Sequence, residues 1–116
     1  MSFREYAGYD GLGLAELVHK GEVSAAELAE EAISRIEKHN PAINAVILKL
    51  YDVGRAAAKA PVDGPFKGVP FLLKDAFGDL AGTTTRLGSR FRSGTPATED
   101  TALAKRFKQA GLSILG

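Results

Sequence analysis

The run Gly68-Val69-Pro70-Phe71-Leu72-Leu73-Lys74-Asp75 constrains the fold of this chain more than any other segment. Residues Val69 to Leu73 are all apolar, with no polar alternation. Such a run reads as a strand covered on both faces, which requires a sheet with helices packed over it. The strand delivers a lysine to its own end. Burying a lysine ammonium favours the neutral amine, and a neutral amine is a base, so Lys74 is a candidate catalytic group. The commoner fate of a lysine competes with this: the stem packs and the charge reaches water.

A second apolar run, Ile43 to Leu50, reads as another strand buried on both faces, and Leu112 to Leu115 as a third. Helices fill the rest. Asp10 caps one through Leu12, Leu14, Leu17 and Val18, with Gly21 as its stop. Ser24 and Glu27 form a capping box for a longer helix, striped by Leu28, Ala32 and Ile36, that Asn40-Pro41 is expected to end. Asp52 is expected to cap an Ala-rich helix reaching about Ala60, and Pro61 to Gly68 to be loop. Thr98 or Asp100 caps the last helix, with Leu103, Phe107 and Ala110 inward and Gly111 as terminator. The expected architecture is α/β, a mixed sheet flanked by helices, with 1–42 a helical lead-in and 43–116 the strand-helix core. Two strands buried on both faces ask for more sheet than this chain supplies, so the core is expected to be incomplete.

The 116 residues carry a net charge of +1 and no cysteine. Bulk charge therefore suggests neither nucleic acid nor an anionic membrane, and thiolate chemistry and disulfides are excluded. No cofactor is expected, and no metal site, because no carboxylate-histidine cluster stands out. With neither an apolar leader nor a membrane-length run, a cytoplasmic location is the expectation.

The remaining motifs are read mainly as structure. Gly64 and Gly68 mark a turn, since phosphate-loop spacing is missing. His19 and His39 fall in last helical turns, where an imidazole interacts well with the dipole. Asp75 either orients Lys74 or satisfies backbone amides of its turn, the second being commoner. The long stretch 75–97 is loop, and a loop of that length is usually functional. Its run Thr83-Thr84-Thr85 serves a turn or a substrate. Arg86, Arg90 and Arg92 surround Phe91, an arrangement read as solvated loop ahead of a nucleic-acid contact. Ser89 lacks a nucleophile elbow.

Taken in order, Gly-Val-Pro-Phe-Leu-Leu-Lys74-Asp75, Gly82-Thr-Thr-Thr, Gly88-Ser89, Asp100 and Ala110-Gly-Leu-Ser-Ile-Leu-Gly116 resemble the amidase signature family, N-terminal portion. Ser24 to Pro41 and Asn40 to Ala45 extend the resemblance. The resemblance implies hydrolysis of carbon–nitrogen bonds of small linear or cyclic amides by a Ser–cis-Ser–Lys triad, with Lys74 as its lysine. The neutral amine would draw a proton through the bridging serine from the nucleophile, which attacks the amide carbonyl to form an acyl-enzyme. Backbone amides would form the oxyanion hole. Both family serines lie beyond the motifs present here, so Ser89 and Ser93 receive no triad role. The A subunit of the tRNA-dependent amidotransferase is also similar, but it typically has Asn after Lys-Asp, where Ala76 stands here.

A free lysine titrates near ~10.4, whereas a useful base sits near about 7–8, a gap worth roughly 4 kcal/mol. Burial and neighbouring groups must supply it, so a chain lacking the serines and their enclosure is expected to be inactive alone. The expected partner is a small-molecule amide, with no nucleic acid and no membrane. Self-association or pairing with the missing remainder of the chain is also expected. The alternative is a non-catalytic interaction module that pairs through an exposed sheet edge.

Overall fold

The computed structural model describes residues 3–92 and 94–116. After a 3-10 turn at Arg4–Gly8, the elements are α1 (Gly11–His19), α2 (Ala25–Ile43), α3 (Tyr51–Lys59), β1 (Pro70–Phe71), α4 (Ala102–Gln109) and β2 (Ser113–Ile114). The two strands are parallel, with Pro70 opposite Ser113 and Phe71 opposite Ile114. Among the described residues this two-stranded parallel sheet stands where a mixed sheet was expected.

Local chemistry sets the helix starts. Asp10 Oδ1 accepts the Gly13 N–H at 2.8 Å. Ser24 Oγ accepts the Glu27 N–H at 3.1 Å, while Glu27 Oε2 accepts the Ser24 N–H at 2.8 Å. This reciprocal box satisfies two donors that a helix start leaves orphaned. Ser24→Ala is expected to lower stability by about 1 kcal/mol, read as a lower urea midpoint at constant slope.

Four expectations are corrected. Helix α2 does not stop at Asn40-Pro41; Pro41 lies inside it and the helix closes on Asn44, whose φ is 47° and whose N–H donates to Asn40 O. Only the last few residues follow Pro41, so its missing N–H costs one hydrogen bond near the end rather than a break mid-helix. His39 is consequently not in the last turn. The second correction concerns residues 43–50, which form no strand. The Asn40 side chain takes both backbone groups of Val46, at 3.0 and 2.8 Å, and those are the groups a ladder would need. Ile43 and Ile47 are exposed, at 67% and 60%, while Val46 and Leu50 are half-buried. Third, Leu50 rather than Asp52 is the N-cap of α3. Fourth, Thr101 caps α4, accepting the Ala104 N–H, and Ala104 rather than Leu103 is its buried residue.

Residues Ser113 and Leu115 share one face of their strand, and Phe71 and Ile114 point to the other. Leu115 packs with Ala32 and Ile33 of α2 and with Tyr51 of α3. Phe71 meets Phe107 of α4 at 4.7 Å between ring centroids. Helices therefore pack on both faces of the strand pair, although Leu72 of the apolar run Val69–Leu73 is exposed. Leu28, fully buried, joins Leu14, Val23 and Val69 in a second cluster. Burying a leucine of this kind contributes about 1.5–3 kcal/mol. Helix α3 reaches β2 closely because residue 54 is glycine; a Cβ there would collide with Leu115 Cδ2 and lie 3.0 Å from Ile114 O. Two contacts from the Arg55 guanidinium to Glu30, at 2.6 and 3.1 Å, tie α3 to α2.

Candidate functional site

The parallel ladder runs on past the assigned strands: Leu115 N–H donates to Phe71 O at 2.9 Å and Leu73 N–H to Gly116 O at 2.9 Å. Lys74 follows the last of these bonds, at the carboxyl end of β1. It is exposed, so the sequence placed this lysine at the strand end correctly but not in a buried setting. Among the described residues no carboxylate or hydrogen-bond acceptor pairs with its amine.

A groove of about 750 Å³ opens beside it. The segment 45–50 makes one wall, Leu72 to Asp75 a second, and the turn 82–86 a third, with Leu80 and Gly116 also lining it. The surface is largely aliphatic, set with the hydroxyls of the threonine run and the Lys74 amine. Three carboxylates hold the threonine wall. Asp75 Oδ1 accepts the Arg86 N–H at 2.9 Å. Asp79 Oδ1 accepts from Thr85 Oγ1 at 2.6 Å. Asp100 Oδ1 accepts the Ala81 N–H at 2.8 Å, and its Oδ2 pairs with Lys108 Nζ at 2.6 Å. Thr83 Oγ1 donates to Leu80 O at 2.7 Å.

The hydrogen bond from Lys108, then that from Ala81 N–H, holds the Asp100 carboxyl below its ordinary value of 3.8. A depressed folded-state pKa contributes stability that is complete above the unfolded value and lost as pH falls through the folded one. Melting temperature should therefore fall on acidification below about pH 4, and Asp100→Asn should flatten that part of the profile.

The structure brings Lys74, Asp75 and the threonines together. It does not bring Ser89 to them: Ser89 Oγ accepts the Phe91 N–H at 3.2 Å and does not line the groove. Ser93 lies outside the described residues. His19 Nδ1 sits 2.8 Å from Ala15 O at the end of α1, and His39 is exposed on α2. Phe91 is 97% exposed within its arginine cluster. Residues 64–68 form a turn anchored by Phe66 N–H to Ala110 O and Gly68 N–H to Gly111 O. Among the described residues no group of acidic, histidine or cysteine side chains could hold a metal ion, and no helix is long and apolar enough to cross a membrane. Sequence reasoning missed Asp79 and the 45–50 wall. Asp79 carried a signal, an acid six residues before Thr85, but one shared by many loop aspartates.

A groove at the carboxyl ends of parallel strands, with a chemically active side chain delivered there by one of them, is the placement typical of ligand sites in open α/β folds. The family model for Amidase matches residues 27–116, and the chain belongs to that family. It is 39% identical over 111 residues to 6-aminohexanoate-cyclic-dimer hydrolase from Pseudomonas sp. (strain NK87), covering 92% of this chain and 22% of that protein. It is 34% identical over 110 residues to the A subunit of glutamyl-tRNA(Gln) amidotransferase from Halorhodospira halophila, covering 89% and 22%. The solved structure of 6-aminohexanoate cyclic dimer hydrolase complexed with substrate superimposes with a TM-score of 0.85 at 37% identity, covering 93% of this chain and 23% of that one. The chain thus spans about a fifth of the length of the relatives it matches.

Proposed function

We propose that this chain is the N-terminal portion of a longer amidase that hydrolyses small linear or cyclic amides, with Lys74 as the base of a Ser–cis-Ser–Lys triad. The observation that carries this reading is the position of Lys74: it stands unpaired among the described residues, at a strand end, on the wall of the groove. A lysine with no partner here is free to engage a hydroxyl brought against it, and enclosure by the remainder would favour the neutral amine that acts as base. The two serines come from the remainder of the longer protein, so this chain by itself turns over no amide. The same remainder covers the apolar side chains of 43–50 and extends the sheet into the mixed sheet expected from the sequence. The aliphatic walls and the threonine hydroxyls suit a substrate whose amide is flanked by methylene groups. No cofactor takes part. Amine release from such an amide by the longer protein, and its loss in Lys74→Ala, is the test.

A second reading, a component of a tRNA-dependent amidotransferase, is favoured by the 34% match to a protein of that kind. Hydrolysis of a free amide by the longer protein with neither tRNA nor a partner protein separates the two.

A further inference from the structure

Of the three carboxylates that hold the threonine wall, Asp79 and Asp100 bind it from its own turn and from the start of α4. Asp75 alone among them belongs to the strand end that carries Lys74. Its bond to the Arg86 N–H, at 2.9 Å, is the one side-chain hydrogen bond among the described residues that joins that strand end to the wall. Its other oxygen, Oδ2, is buried and has no partner there. The carboxylate is thus held by a peptide N–H and not by an ion pair. The backbone just after it is strained: Phe77 has φ 63°, a left-handed conformation that a bulky aromatic rarely adopts. Phe77 is 84% exposed, so packing of its ring does not keep it there. The Asp75–Arg86 hydrogen bond spans the turn that contains Phe77.

We infer that Asp75 is a positioning residue for Lys74, fixing the peptide that joins them and so the distance from the amine to the threonine wall. This rests on the proposed role of Lys74 as base. The role of Asp75 is that of an acceptor; its charge is not required. Asparagine keeps the acceptor oxygen and alanine removes it.

The test uses the longer protein with Asp75→Ala, Asp75→Asn and Lys74→Ala. Asp75→Ala is expected to lower kcat for a small aliphatic amide by about 10–100-fold with KM little changed, because small misplacements of a reacting group are costly. The Arg86 amide should lose its protection from hydrogen exchange in the same variant. Asp75→Asn should hold kcat to within about threefold, keep the Arg86 amide protected and leave the pH–rate profile in place. Turnover by Asp75→Ala within about threefold of the unmodified enzyme overturns the inference. So does an Asp75→Asn variant as impaired as the alanine, or one that is fully active with an unprotected Arg86 amide. The asparagine arm decides even where the alanine variant does not fold. An active Lys74→Ala sinks the base reading itself, whereas an inactive Lys74→Ala beside a fully active Asp75→Ala sinks the positioning role alone.

Discussion

Lys74→Ala in the longer protein should lower turnover of its amide by at least ~10⁴-fold while leaving the protein folded. General-base catalysis alone accounts for about 10²–10⁴-fold. Residues of a triad act as a unit, so removing one costs nearly what removing all does, and the loss extends beyond the base's own share. The fold should be indifferent. Lys74 is exposed and, among the described residues, makes no ion pair, and surface substitutions of this kind usually change stability by less than about 0.5 kcal/mol. Lys74→Arg sharpens the result. A guanidinium keeps the positive charge and much of the length, but it cannot be deprotonated in a protein and so cannot act as base. It should be as inactive as alanine. An arginine variant with substantial turnover, or an alanine variant with near-normal kcat, would mean that Lys74 contributes charge or nothing, and the triad assignment would fail.

How much of this was legible depended on the range over which each feature is determined. Helix starts at Asp10 and Ser24 were readable because a cap is settled among four neighbouring residues, and the turn at Gly111 because φ of 97° is a local demand. The strand end carrying Lys74 was readable from an apolar run that few other elements accommodate. Residues 43–50 carried a nearly continuous apolar run, interrupted by Asn44 and Lys49, and formed no strand, because the Asn40 side chain captures Val46. Apolar composition reports that a segment is suited to burial, not which element it forms. In the groove, Asp75 does accept a backbone N–H, that of Arg86 rather than one in its own turn, and Thr83 Oγ1 bonds within its turn. The Asp79–Thr85 and Asp100–Ala81 ties were not foreseen, because a glycine-rich loop has no periodicity from which contacts can be inferred.

The largest stability effect should come from Gly111→Ala. Gly111 ends the turn after α4, where φ is 97°. A side chain there costs roughly 1–2 kcal/mol in conformation alone. Space compounds the strain. A Cβ on residue 111 would lie 2.7 Å from Lys67 Cα, 2.8 Å from Lys67 N and 2.8 Å from Val62 O. All three are backbone atoms, so no rotamer change relieves the contact. Overpacking of this kind adds about 1–3 kcal/mol. The crowding is there because Gly111 O accepts the Gly68 N–H at 2.9 Å and Ala110 O the Phe66 N–H at 2.8 Å, which draws the 64–68 turn onto the start of β2. Moving the turn aside would break those bonds and shift Val69, whose carbonyl accepts the Ser113 N–H at 2.8 Å, and with it the strand that carries Lys74. We therefore expect a loss of roughly 2–5 kcal/mol, read as a lower denaturation midpoint. Gly21→Ala provides the control. Its φ is 72°, but no atom lies within 4 Å of the Cβ position, so it should show the conformational cost without the clash, about 1–2 kcal/mol. Equal effects at the two positions would mean that the 64–68 turn is not seated on Gly111.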